Sequence, residues 1–331
     1  MQEPRMNEEG RSLAVRRRER LAPDLRELLL KKAHISQEVP RKPLAWPSER
    51  AAGGMSRVRF VARSALCLVA ILPFMIVGMG AQALILRFWR DVAGTLPRAF
   101  LWWVGKVLGL RVIVKGEIAR TAPVLLVSNH VSWVDIAVLG GLVPLSFVAK
   151  SEVAGWPIIG TLARLQRSIF VDRTRRTMTA DIARSIGHRL VAGDTIVLFG
   201  EGTTGDGNRV LPFRPALLAS VREAMSASGA GGTPILVQPL SIVYSGLDGL
   251  PLGRADRPSI AWYGDMSLGS HLLRLLAIGP VDVTLRFGDA FEVTHGDRKA
   301  LAKRLGDEVR AMAAEITNGR PHPAIAHAPT L

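Results

Sequence analysis

Hydrophobic and polar positions follow three different rhythms along this chain. Over residues 1–63 no apolar period persists and charge dominates, with 15 Lys/Arg against 8 Asp/Glu, including Arg16-Arg17-Arg18 and Lys31-Lys32. Residues 21–30 would make a short amphipathic helix, and Pro40, Pro43 and Pro47 break the segment after it. Such a composition buries too little apolar surface to order itself, so residues 1–56 are expected to form a basic, largely disordered arm. The plainer readings are a solvated tail or an over-extended start ahead of Met55. Residues 64–86 then run for 23 positions without a charge. As a helix they would span about 35 Å, against a hydrocarbon core of roughly 30 Å. Pro73, Gly78 and Gly80 inside this run predict a kink. A second apolar stretch covers 100–108, and Trp89, Trp102 and Trp103 suit a membrane interface. Residues 57–110 therefore predict a membrane-associated helical hairpin dipping into one leaflet. A single crossing and a buried core helix are the competing readings. The hairpin is preferred because a crossing would separate the basic arm from the rest of the chain.

From residue 111 the pattern changes to alternating elements. Strands are predicted at 111–115, 123–128, 145–149, 168–171, 195–199, 235–244 and 281–287. Helices are predicted after Asp135, near 156–165, over 177–192 and over 298–317. Alternation of this kind predicts an α/β fold, a mainly parallel sheet flanked by helices, over 111–318, with 319–331 a tail. Polar residues fall at telling places: His130, Lys150, Asp172-Arg173 and Glu201 each follow the C-terminal end of a predicted strand. In a parallel sheet those ends share one edge, where ligands of open α/β sheets bind.

Composition narrows the partners. A net charge of +15 points to an anionic membrane surface or phosphate-bearing substrates. Nucleic acid ranks well below these, because the sparse aromatics are not interleaved with basic residues as stacked bases require. The one cysteine, Cys67, excludes an internal disulfide framework and a cysteine-based metal site. No other histidine shows metal-ligand spacing, and no G-x-S-x-G elbow is present.

The stretch 129–135 carries the chemistry. Inside one helix, His130 and Asp135 would lie roughly 140° apart around the axis. If His130 ends a strand and Asp135 sits in the first helical turn, the carboxylate meets one imidazole nitrogen and leaves the other facing a substrate proton. That arrangement is a general base with its orienter and without a nucleophile of its own. The plainer reading is S-x-x-D from Ser132 to Asp135, a capping box that satisfies helix amides.

These residues resemble the family of 1-acyl-glycerol-3-phosphate O-acyltransferases and related lysolipid acyltransferases, over about residues 57–317. The family's N-H-x-S-x-x-D is matched by Asn129, His130, Ser132 and Asp135. Its apolar run ending in D-R is matched by Ile169-Phe170-Val171-Asp172-Arg173. Its F-P-E-G-T-R is matched in part by Phe199, Glu201, Gly202 and Thr203, and its proline-bearing strand by Val237-Gln238-Pro239-Leu240. The resemblance implies transfer of an acyl group from acyl-CoA or acyl carrier protein to a lysolipid hydroxyl, at the cytoplasmic face of the cell membrane. No further cofactor is implied. His130 and Asp135 would be catalytic. Glu201, Gly202 and Thr203 would bind the acceptor, with Lys150 and Arg173 near its anionic headgroup.

One departure bears on the acceptor. The motif's arginine is Thr204 here and its proline is Gly200. In the family that arginine is thought to hold the acceptor phosphate, so its absence weakens a phosphatidate-forming reading unless Arg209 or Arg214 substitutes. Residues 150–157 and 201–209 resemble the bacterial branch that acylates lyso-ornithine lipid, whose headgroup is an amino acid. The acceptor stays open between lysophosphatidate and lyso-ornithine lipid. The competing classes are a thioester or lipid hydrolase and a non-enzymatic membrane lipid-binding protein.

Overall fold

Strand β2, Val124–Ser128, explains the layering of the whole domain. In a strand successive side chains point to opposite faces. Here Val124 and Leu126 enter one apolar core while Leu125 and Val127 enter another, all of them essentially inaccessible. A sheet with two buried faces needs a cover on each, and the helices supply it.

The computed structural model describes residues 57–171, 178–218, 235–293 and 297–318, all within a compact unit running from residue 50 to the C-terminus. The basic arm, Asp172-Arg173 and the 319–331 tail lie outside the described residues. In order, the elements are α1 (Arg57–Phe88), α2 (Thr95–Val107), β1 (Leu110–Lys115), β2, α3 (Val134–Leu142), β3 (Ser146–Lys150) and α4 (Ile159–Leu165). Then come β4 (Ile169–Val171), α5 (Met178–Val191), β5 (Ile196–Phe199), β6 (Leu236–Leu247) and β7 (Leu250–Pro251). The last are α6 (Leu268–Ala277), β8 (Val281–Phe287), β9 (Phe291–Glu292) and α7 (Arg298–Asn318).

The main sheet runs β1-β8-β6-β2-β5-β3-β4, with β7 and β9 also on β6. The five strands from β6 to β4 are parallel. Strand β8 runs antiparallel to β6, and β1 runs parallel to β8. The fold is therefore the expected α/β class with a mostly parallel, mixed sheet. Strand β8 is reversed because it starts at the edge where β6 ends, Val281 pairing with Leu247. The segment between them contains α6, an amphipathic helix at 268–277 that the sequence pattern did not announce because glycine and proline surround it. Ser267 caps it, accepting the Ser270 amide at 3.2 Å. Helix α7 packs Ala302, Leu305, Val309 and Met312 into the core on one face, joined by Ile186 and Leu190 of α5. Helices α2, α3 and α6 cover the other.

The two N-terminal helices pack against each other. Helix α1 continues through Pro73. In the turn before that proline, the Ala70 carbonyl accepts the Trp103 indole N–H at 3.0 Å, tying α1 to α2. Gln82 donates to the Ala93 and Leu165 carbonyls, and Arg63 donates to those of Leu108 and Ile278. The remaining surface of α1 is apolar and open, with Leu66, Leu68, Val69, Ile76, Val77 and Leu84 exposed. Residues 60–88 are long and apolar enough to cross a membrane.

The pair is joined to the sheet through two glycines of α3. A Cβ built on Gly141 falls 2.8 Å from the backbone N and Cα of Trp102, and one on Gly140 strikes the Leu101 side chain. Only glycine lets α2 and α3 approach so closely. Gly141→Val is expected to force the helices apart and cost about 1–3 kcal/mol, whereas Gly155→Ala, with open space around its Cβ, should be near neutral. Chemical denaturation of the two variants checks this.

Candidate active site

The chain leaves β2 at Ser128, and the next residue keeps the ladder going by other means. The Asn129 side chain exchanges two hydrogen bonds with the Ile242 backbone, donating to its carbonyl at 2.9 Å and accepting its amide at 2.8 Å. Strand β6 extends past the end of β2, because Ser128 already pairs with Leu240. The asparagine thus replaces a strand neighbour just where the backbone turns away, which aims His130 out of the sheet edge.

Asp135, fully buried in the first turn of α3, organises the loop that carries His130. Its Oδ2 accepts the amides of Val131 at 2.8 Å and Ser132 at 3.1 Å, and meets His130 Nδ1 at 2.8 Å. Its Oδ1 accepts the Tyr244 hydroxyl at 2.6 Å. The two sequence readings of Asp135 are therefore not alternatives: one oxygen satisfies loop amides and holds the imidazole. A carboxylate surrounded by donors requires the proton on His130 Nδ1, so Nε2 carries the lone pair. The ring stacks on Phe199 at 3.8 Å between centroids and 12° between planes, which fixes its orientation. Its side chain is 17% exposed, enough to meet a substrate from one side.

Tyr244 is the residue the sequence reading missed. It sits at the end of a predicted apolar strand with no motif spacing to flag it. The available signal was chemical, since a tyrosine hydroxyl on a buried strand requires a partner. Burial and the adjacent Asp135 carboxylate push its hydroxyl well above the usual range, so it remains a donor.

Strand β5 delivers Glu201 to the same place. Its Oε2 accepts the His130 amide at 3.3 Å and its Oε1 the Leu211 amide at 2.9 Å. Burial pushes this carboxyl up to about 8, against the pull of those two amides. Gly202 follows with φ +68°, a conformation that favours glycine and keeps the backbone bare beside the site. Thr203 is exposed. Gly200, where the family motif has proline, has its own reason: a Cβ there would fall 2.6–2.9 Å from the Phe213 ring.

His130, Asp135, Glu201 and Gly202 thus come together. Lys150 ends β3 on the same sheet edge, exposed and held by no side-chain hydrogen bond or ion pair among the described residues. Arg173 lies outside the described residues. Arg209 and Arg214 are exposed and carry no ion pair among the described residues.

The far wall is built by residues 257–271. The Trp262 amide donates to the Val131 carbonyl at 2.9 Å. The Trp133 indole donates to His271 Nδ1 at 3.0 Å, and His271 Nε2 donates to the Ile260 carbonyl at 3.0 Å. Burial pulls His271 down to about 4, keeping it neutral in the state that accepts from Trp133.

Removing the hydroxyl in Tyr244→Phe leaves one oxygen of a buried carboxylate without a donor. The variant is expected to lose about 1–3 kcal/mol of stability, measurable by urea unfolding, with the secondary structure unchanged by circular dichroism.

Comparison with known proteins identifies the family. The acyltransferase family model matches residues 111–243. The lyso-ornithine lipid O-acyltransferase of Brucella abortus is 41% identical over 272 residues, covering 82% of this chain and 98% of the relative. The enzyme of the same name from Rhizobium meliloti is 41% identical over 280 residues, covering 81% and 94%. A 1-acyl-sn-glycerol-3-phosphate acyltransferase of Neisseria meningitidis is 31% identical over 207 residues, covering 60% and 74%. In fold, the chain is similar to the crystal structure of the 1-acyl-sn-glycerophosphate acyltransferase PlsC from Thermotoga maritima. The TM-score is 0.54 at 21% identity, covering 80% of this chain and 99% of that one. With sequence, fold and relatives in agreement, this chain belongs to the lysolipid acyltransferase family and is an acyltransferase.

Proposed function

We propose that this enzyme moves an acyl group from a thioester donor, acyl-CoA or acyl carrier protein, to the free hydroxyl of a lysolipid at the cytoplasmic face of the membrane. The observation that carries the reading is the His130–Asp135 pair, whose free imidazole nitrogen opens to the strand-end edge without an attached nucleophile. A thioester is already activated, so the acceptor hydroxyl attacks its carbonyl carbon directly. His130 Nε2 takes the hydroxyl proton as the new C–O bond forms. Asp135, backed by Tyr244, stabilises the imidazolium. When the tetrahedral intermediate collapses, the C–S bond breaks and the thiolate leaves, taking that proton. Glu201, Gly202 and Thr203 contact the acceptor, while Lys150 and Arg173 supply positive charge to anionic groups at the site.

The favoured acceptor is lyso-ornithine lipid. Two relatives that this chain matches over nearly their full length carry that name, and Thr204 occupies the position of the family's phosphate-binding arginine. The membrane reading rests on the open apolar face of α1, which a bilayer would cover.

His130→Ala is expected to lower acyl transfer at least about 10²-fold with membrane binding intact. Retained transfer in an assay with labelled donor and both lysolipids in competition would refute the mechanism, and the product formed by the wild type identifies the acceptor. For the membrane reading, Val69→Glu with Val77→Glu, at positions 73% and 72% exposed, should release protein from vesicles in a flotation assay. Unchanged flotation would move the anchor elsewhere.

A further inference from the structure

Beside the catalytic loop lies a cation without a counter-charge among the described residues. Arg257 is only 8% exposed, yet its Nε has no hydrogen-bond partner and its side-chain bond, from Nη2 to the Leu252 carbonyl, is long at 3.5 Å. A buried guanidinium is ordinarily matched to a carboxylate or carbonyl fork, because leaving it bare forfeits its hydration. Burial and the nearby Arg254 cation pull its proton affinity below the usual arginine range, as expected for a charge awaiting a partner.

Its place in the fold points to the acceptor. Gly207, in the loop that departs from the family motif, sits against both Val131 and Arg257: a Cβ there would lie 3.3 Å from Val131 Cγ1 and 3.5 Å from Arg257 Cβ. The Gly205 amide donates to the His130 carbonyl at 2.8 Å, so the same loop is fastened to the histidine. The next loop residue, Asn208, has a second unmet group. Its Nδ2 donates to Asp206 Oδ2 at 3.4 Å, which fixes the amide's orientation, and leaves its buried Oδ1 with no donor. Gly207 thus lies between Asn208, whose Oδ1 lacks a donor, and the stem of Arg257, whose Nε lacks an acceptor.

We infer that Arg257 and Asn208 form the headgroup subsite, Arg257 taking the acceptor's carboxylate and Asn208 Oδ1 taking an N–H of the same headgroup. An amino acid carries its carboxylate and a nitrogen on one carbon, so it answers both groups, whereas a fully ionised phosphate offers acceptors only. Arg257 then occupies from another element the role vacated at Thr204. This inference rests on lyso-ornithine lipid being the acceptor.

The test compares wild type and Arg257→Gln on lyso-ornithine lipid and on the same lipid with its carboxylate converted to a carboxamide. The expected result is that amidation lowers kcat/KM of the wild type about tenfold to a hundredfold, mainly through KM, and leaves the variant almost indifferent. The melting temperature of Arg257→Gln should be unchanged or higher, because a bare buried charge has been removed. Equal discrimination by both proteins, a wild type indifferent to amidation, or a variant that melts lower and weakens on both acceptors alike would each overturn the subsite. A wild type that acylates lysophosphatidate but not lyso-ornithine lipid would overturn the acceptor reading and the subsite together, and is distinguishable because it needs no variant.

Discussion

Everything around the reactive edge depends on how one buried carboxylate is satisfied. Asp135 has no access to water, and a charge in that position persists only if protein donors replace its hydration. It receives them from three directions: two loop amides, the His130 ring and the Tyr244 hydroxyl across the sheet. These bonds constrain the loop between β2 and α3, the ring's tautomer and the overhang of β6 in one step. In the proposed reaction, an imidazolium formed at His130 would meet a carboxylate already in place, with little reorganisation.

The same helix that carries Asp135 carries Gly140 and Gly141, where α2 comes within backbone contact. The apolar N-terminal pair is therefore not tethered by a linker but packed on the element that orients the base. The open apolar surface of α1 and the sheet edge that carries His130 are held in fixed relation by this contact. Under the proposed function this coupling would let a lysolipid reach the site without its acyl chain crossing water.

The loop from Gly200 to Asn208 shows how a motif is altered without losing the fold. Gly200 makes room for Phe213, Glu201 keeps its two amides, and Gly205 stays fastened to His130. The catalytic half of the edge is preserved while the arginine at its end is gone. Arg257 Nε and Asn208 Oδ1 are left without hydrogen-bond partners next to this loop, which is why the headgroup is proposed to sit there.

The local order of residues determined a great deal. Strand-length apolar runs, each followed by a polar residue, established the layered α/β architecture and put His130, Lys150 and Glu201 on one rim, because parallel strands place their C-terminal ends together. The 64–86 run announced the long helix, since only a helix satisfies the backbone of so long an apolar run within one segment. Three features were not legible, each because it joins segments distant in the chain. Tyr244 reaches Asp135 across 109 positions, Gly141 takes its meaning from Trp102 on another helix, and Arg257 is marked by a buried Nε without a partner among the described residues, which only packing reveals. The reversal of β8 belongs with them, since it depends on pairing with β6. Sequence by itself determined the elements and the chemistry of the base. Tertiary structure decided what holds His130 in place and which buried polar atoms are left without a partner, because burial and long-range contact are properties of packing and not of spacing along the chain.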